Sequence, residues 1–443
     1  MNRVIHVALC ILPLIAAGCR SGGGSDDGSQ TGASAVDIAA TASPASAYSV
    51  PSSASVDDLV ALAIARHPSV AAARHKVERL ESMVDQVSAL PDPSAKVTAG
   101  QLAETAAGRV DGVIGVEQRI PFPGKRRARA ERAHRQADVA RAELDALRLS
   151  HAARVRDAYW RYYQAARTVG VLGESRAALV QMQESVDVRV RADKAAQQDL
   201  LKVGNELGLV DQKIITATAQ VTAMRARLNS LLHRPVNAPL PSPRKPVPSR
   251  VSTALDAMIA EAQSRHPDVA AAKSRVAMFN AQQKMADLER WPDFAIGMQY
   301  GAVSNRGLAP SANGRDQFGA TVGVTIPLWR KKLDAIDREA REGLAEAGDA
   351  LAAVRSEVGY NVAAAVARVD SARRVVTLFE SSILPDANQA LELALVGYSA
   401  DTEGFIDVID AWRQSLAYQL QQVDNQAALG AAAAALKLAA GIE

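Results

Sequence analysis

The sequence predicts a mainly α-helical protein with a β part, built as a duplicated strand–strand–long-helix–hairpin unit. Three observations carry that reading. First, two alternating ladders break at a proline and run directly into a basic helical stretch, at Gly115–Arg127 (GVEQRIPFPGKRR) and Gly323–Leu333 (GVTIPLWRKKL). Second, long alanine-rich runs without proline follow both. Third, the blocks around them recur in one order. Ser55–Val77 (SVDDLVALAIARHPSVAAARHKV) is matched by Ser252–Val276, Ile120-Pro121 by Ile326-Pro327, and Asp199-Leu200-Leu201 by Asp407-Val408-Ile409. Together they make a tandem duplication of about 190 residues, the kind of period that has to be found before a fold is assigned.

Composition excludes several classes. A chain of 443 residues could hold two or three ordinary domains, but aromatics are only 4% and the hydrophobic 48% rests largely on small side chains. Small side chains favour close helix–helix packing over a thick mixed core. The formal charge of +3 is near balance and gives no reason to expect a nucleic-acid partner. The sequence carries no phosphate loop, no nucleophilic or acid–base constellation, and no His, Cys or Met cluster in metal-ligand spacing. We therefore expect a protein that is not an enzyme, with no cofactor and no metal centre.

Taken in order, residues 1–18 read as a signal peptide: Arg3, an apolar run Val4–Ala17 too short to span a bilayer, then the small Ala16-Ala17-Gly18. Leu14–Cys19 resembles a bacterial lipoprotein box with Ala16 in the usual leucine position, so lipidation of Cys19 is expected; the other reading is plain secretion with cleavage near Gly18. Cys10 would leave with the signal, and one remaining cysteine can form no internal disulfide. Residues 19–54, rich in Gly, Ser, Ala and Asp, are expected to be a lipidated flexible tether.

The first repeat is placed at 55–233, opening on a Ser55 cap with an acidic first turn; His67-Pro68 then starts a helix to about Leu90. A lone histidine beside proline is expected to cap or pack, not to bind metal. Strands follow at about 93–102 and 111–120. Residues 234–251 are proline-rich and read as an extended connector. The second repeat takes 252–443, with strands at about 292–301 and 317–326. There Phe294, Ile296, Met298 and Tyr300 alternate with Ala295, Gly297, Gln299 and Gly301; Phe318, Ala320, Val322, Val324 and Ile326 alternate with Gly319, Thr321, Gly323 and Thr325. Strands of about ten residues, apolar on one side and polar or glycine on the other, fit a membrane barrel. A soluble hairpin packed on a helix is equally two-faced. Four strands are too few to close a membrane barrel, and an open edge cannot face lipid. The hairpins must then stay soluble or share a barrel between subunits.

The long helices are expected from Lys125 to about Val190 and from about Leu333 onward. In the second, a stripe from Leu333 through Ile336, Ala340, Leu344 and so on to Phe379 and Ile383 advances about 3.57 residues per step, which suits long helices packed side by side with little supercoil. Pro385 is expected to kink that run. Polar breaks near Arg191–Lys194 and Ser399–Thr402 precede returning helices at about Ala196–Leu232 and Gly404–Ala440. One long helix would lie beside two shorter ones stacked end to end.

From Ser55 to the C-terminus the chain resembles an outer-membrane factor of the TolC family, most closely at Gly397–Ala411 (GYSADTEGFIDVIDA). The resemblance implies a homotrimer with one twelve-stranded barrel in outer-membrane lipid, continued by an α-helical periplasmic tunnel. It implies a periplasmic adaptor and an inner-membrane pump as partners, with docking at the tips, here Asp193, Lys194, Asp401 and Thr402. The family's ring of gate aspartates falls on Asp407 and Asp410, three apart on one helix face. Six carboxylates in a constriction would favour cations and raise one another's pKa. A tyrosine of the family's gate network falls on Tyr398; its arginine falls on Glu403, a reversal of charge, and the tip-turn glycine falls on Asp401, and on Asp193 in the first copy. Aspartate tolerates the left-handed conformation that such a turn needs. Pro121–Lys125 (PFPGK) is similar to the branch serving heavy-metal exporters, and Lys125-Arg126-Arg127 reads as a basic anchor at the membrane edge. The expected function is the exit duct of a tripartite efflux system, with metal cations as one cargo. The competing readings are the duct of a type I protein secretion system and a periplasmic coiled-coil adaptor or scaffold.

Overall fold

The computed structural model describes residues 54–245, 254–305 and 313–442. Cys19, the signal peptide, the tether and residues 246–253 of the connector lie outside the described residues. The chain divides into two units. One is formed by Met83–Ala133 and Asn280–Glu342; the other takes in the described residues before Met83, then His134–Phe279 and Gly343 onward.

The first unit is built on a four-stranded antiparallel sheet in the order β1 (Ser94–Thr105), β2 (Gly108–Ile120), β3 (Asp293–Ser304), β4 (Gln317–Thr325). Both strands of the first repeat run closer to their turn than the alternation suggested, and β3 extends to Ser304. The reason is a register shift between Ala99 and Ala103, and another between Val110 and Gly112. A bulge breaks the period of two, so alternation is lost while pairing continues to Thr105↔Gly108. Gly108 is required there: its φ is +130°, and a Cβ would stand 2.0 Å from the Ser304 carbonyl oxygen.

The register sorts the side chains. Val97, Ile114, Tyr300 and Phe318 stand opposite one another across the strands, as do Val116, Met298 and Ala320. Directly paired residues share a face, so these, with Ile296, Val322, Phe294 and Val324, form one apolar surface. It is bare: Phe318 is 82% exposed, Val322 78% and Met298 72%. The opposite face carries Gly115, Gly297, Gln299, Gly319, Thr321 and Gly323. β1 and β4 are the open edges.

At the first strand-to-helix joint, Lys125 opens helix α3 (Lys125–Arg191, 67 residues) with 2% exposure. Its Nζ donates to the Trp291 carbonyl at 2.8 Å and lies 2.9 Å from Asp293 Oδ1 and 3.8 Å from Glu289 Oε2. A cation at the positive end of a helix is normally unfavourable; here two carboxylates offset it. Asp293 also accepts from the Phe122 N–H at 2.9 Å, and the Phe122 ring stacks on Trp291 at 4.9 Å. The Arg126 guanidinium donates to the Ser88 carbonyl at 2.8 and 2.6 Å, at the end of α2 (Pro68–Ser88). The membrane-anchor reading therefore fails for Lys125 and Arg126, whose charges are spent inside the joint; Arg127 remains exposed.

In the second unit, α1 (Val56–Arg66) is capped by Ser55 and Asp58 in a reciprocal box. The returning helix of the first repeat is α4 (Gln197–Leu231), and the second repeat opens with α5 (Leu255–Arg265) and α6 (Pro267–Leu288). The histidines before the prolines do act locally: His67 Nδ1 meets Ser69 Oγ at 2.7 Å, and His266 Nε2 reaches the Leu438 carbonyl at 3.1 Å. The long helix of the second repeat is α7 (Arg330–Leu378), followed by a π-helical turn at Phe379–Ile383, α8 (Leu384–Ser399) and α9 (Phe405–Ala440). Every residue of the expected α7 stripe is buried or half-buried.

Pro385 is handled by that π turn and not by a simple kink. Proline lacks the N–H and crowds the preceding turn, and an inserted residue relieves both. The turn also presents Glu380, which accepts from Lys245 of the connector at 3.0 Å and from Gln422 and Gln426 of α9 at 3.1 and 3.2 Å. Elsewhere α3 and α9 pack very closely: at Gly430 a Cβ would lie 2.0 Å from the Trp160 ring, so only glycine fits.

Candidate gate at the helix tips

The two hairpin tips are built alike. In the first, Asp193 has φ +57° and the Lys194 N–H bonds the Arg189 carbonyl at 2.8 Å; in the second, Asp401 has φ +58° and the Thr402 N–H bonds the Gly397 carbonyl at 2.9 Å. Both are left-handed helix ends closed by the same six-residue bond, with aspartate in the position glycine usually takes. Asp193, Lys194, Asp401 and Thr402 are all exposed at these turns.

Asp407 and Asp410 project from the first turns of α9, while Val408 and Ile409 between them are buried against α3 and α4. Asp407 is exposed, and its carboxylate accepts the Gly404 N–H at 3.1 Å, which satisfies one orphan donor of the helix start. Asp410 is exposed, with Oδ1 3.4 Å from Arg413 Nη1. Arg413 is shared: its Nε donates to Glu206 of α4 at 3.2 Å, and that buried carboxylate pushes the guanidinium pKa up. The two aspartates thus differ, one capping a helix and one leaning on an arginine.

Tyr398 is half-buried, its ring 5.3 Å from Phe405 and 4.6 Å beneath the Arg189 guanidinium. Burial raises its pKa against the opposing pull of Arg189. Its hydroxyl is enclosed without a hydrogen-bond partner in this chain. Arg189 also donates to the Ser399 carbonyl at 3.2 Å and pairs with Asp401. This contact is not the expected one: the expected arginine position holds Glu403, whose side chain packs against Gly397. The guanidinium comes instead from Arg189 on the other tip, 212 residues before the Asp401 with which it pairs. The surplus of arginine at Arg189 and Arg191 was the one available signal.

Among the described residues there is no group of His, Cys, Asp and Glu that could hold a metal ion, and no helix long and apolar enough to cross a membrane. A sheet with one bare apolar face, joined in sequence to long helical hairpins, is the architecture of an outer-membrane channel protein. Comparison with known proteins gives the family. The model for "Outer membrane efflux protein" matches residues 59–233 and 258–442, and the chain belongs to that family. It is similar to the cobalt-zinc-cadmium resistance protein CzcC of Cupriavidus metallidurans, 24% identical over 366 residues covering 80% of this chain and 82% of the relative. Among solved structures it resembles the outer membrane protein VceC of Vibrio cholerae (TM-score 0.73, 18% identity, 87% of this chain and 96% of that one). It also resembles the open-state MtrE channel of Neisseria gonorrhoeae (TM-score 0.70, 19% identity, 87% and 89%). The protein is an efflux channel of the outer membrane, with its helices on the periplasmic side, and not an enzyme. Its family works in tripartite efflux systems, which decides against the soluble adaptor or scaffold.

Proposed function

We propose that three copies of this chain share one twelve-stranded barrel and form the exit duct for an inner-membrane pump and a periplasmic adaptor. The observation that carries this reading is the sheet itself: its apolar face is bare and both of its edges, β1 and β4, are open. Open edges are unsustainable in lipid, and closure by copies of the same strands removes them. The adaptor would dock at the tips around Asp193, Lys194, Asp401 and Thr402. Asp407 and Asp410 would line the narrow end, with Tyr398 beside them holding the tips together.

The cargo we favour is divalent metal cations of the cobalt, zinc and cadmium kind, on the likeness to CzcC and on the carboxylates at the gate. A duct needs no tight site for what it passes; a ring of exposed carboxylates raises the local cation concentration. Anchoring through lipid on Cys19 would hold the N-terminus in the same membrane, and labelled lipid should be lost from a Cys19→Ala variant. The gate is tested in planar bilayers. Asp407→Asn with Asp410→Asn should lower cation-over-anion selectivity severalfold, and unchanged selectivity would remove these residues from the conducting path.

A further inference from the structure

The duplication contains a second copy of the Lys125 joint that the single chain leaves unfinished. Ile120-Pro121-Phe122 recurs as Ile326-Pro327-Leu328, which places Lys331 where the first repeat has Lys125. Trp291-Pro292-Asp293 likewise recurs as Leu90-Pro91-Asp92, which places Asp92 where the second repeat has Asp293. In the finished joint, the segment after β2 closes on the segment before β3, its sheet neighbour. In the unfinished one, the segment after β4 has no neighbouring strand, and neither has the segment before β1. Their side chains are correspondingly bare: Leu328 is 72% exposed, Trp329 78% and Leu90 45%. Lys331 and Asp92 are both exposed, without the ion pair their counterparts make.

We infer that Lys331 of one copy pairs with Asp92 of the partner subunit, and that Leu328 covers Leu90 of the partner subunit as Phe122 covers Trp291 within the chain. The occupant is thus a second copy of this chain, and the contact rests on the reading that copies share one barrel. The register follows from the same transfer. Within the chain Val116 stands opposite Met298. The corresponding residues are Val322 on β4 and Val97 on β1 of the partner subunit, both on the bare apolar face and both highly exposed here. A shift of one residue would turn one of them to the glycine-rich face, so the matching of faces supports the transfer independently of the lysine and the aspartate. The chain thus carries its own template for the subunit contact.

The test uses the full-length protein in outer membranes. Asp92→Cys and Lys331→Cys are combined, with each single variant as the control for Cys19, and treated with a short thiol-to-thiol cross-linker. Covalent dimers and trimers in the double variant, absent from both singles, are expected. Light scattering of the same detergent-solubilised sample separates the two ways of failing. Oligomers without cross-linked product would overturn this joint and leave the shared barrel standing. A particle with the mass of one chain would overturn both. As a second readout, Asp92→Lys and Lys331→Asp should each reduce the oligomer yield severalfold, and the double swap should restore it. Failure of the swap to restore yield, with both single variants folded by circular dichroism, also counts against the pair.

Discussion

The chain turns from strand to helix twice, and the two joints are in opposite conditions. At Ile120–Lys125 the lysine is sealed between Asp293, Glu289 and the Trp291 carbonyl, in a joint where Phe122 stacks on Trp291. At Ile326–Lys331 the same residue pattern stands open, with Leu328 and Trp329 bare. The sequence motif is shared; the environment is not. The first joint is completed by the strand that the second repeat lays beside it. A repeat in a chain therefore folds against its sibling on one side and needs another partner on the other.

The sharpest way to break this contrast is to remove each lysine in turn. Lys125→Ala leaves two carboxylates facing each other around a vacated site, and the loss should be about 3 kcal/mol, the lower end for breaking a buried pair because both acids keep some solvent. Lys331→Ala should change the stability of the dissociated chain by less than about 0.5 kcal/mol, as for an ordinary surface site. Urea unfolding in detergent followed by circular dichroism measures both. Equal costs would show that the two joints are not in different states.

An effect of comparable size separates the two faces of the sheet. Val322→Lys places a charge on the bare apolar face and should cost about 2–4 kcal/mol of barrel stability if that face meets lipid near the bilayer centre. Thr321→Lys, one residue earlier and on the opposite face, should be tolerated and change conduction instead. Outer-membrane yield and heat-resistance of the assembled protein give the readout, and normal assembly of the Val322 variant would defeat the barrel reading.

The smallest expected difference is a pH effect at Asp57, near the start of the first repeat. The Arg156 guanidinium lowers the Asp57 pKa, opposed by burial and helped by Lys437. A carboxylate held below its unfolded value contributes stability above that value, near pH 4, and loses it as pH falls through the lowered one. Thermal midpoints should therefore drop on acidification below about pH 4, and less steeply in Asp57→Asn. Parallel curves for the two proteins would exclude this pair as a source of acid sensitivity.

Much of this molecule was legible because periodicity reports which face of an element is covered. The helical stripe from Leu333 to Ile383 and the faces of β3 and β4 follow from spacing alone, whereas the tip turns at Asp193 and Asp401 follow from polar breaks in the helical runs together with the family resemblance. What spacing does not encode is pairing across long stretches of chain. Arg189 meets Asp401, and Lys125 meets Asp293, through tertiary contacts with no local pattern. Strand ends were lost at the bulges, where the period changes although the hydrogen bonds continue. The π turn before Pro385 was missed for a similar reason: proline announces a disturbance but not how the backbone absorbs it.

The central claim is that β1 and β4 are closed by copies of the same chain. Hydrogen exchange of backbone amides in the assembled outer-membrane protein tests it most directly. The amides of Ser94–Thr105 and Gln317–Thr325 should exchange as slowly as those of Gly108–Ile120 and Asp293–Ser304, which are paired on both sides within one chain. Fast exchange along β1 and β4, with β2 and β3 protected, would mean open edges and would contradict the shared barrel.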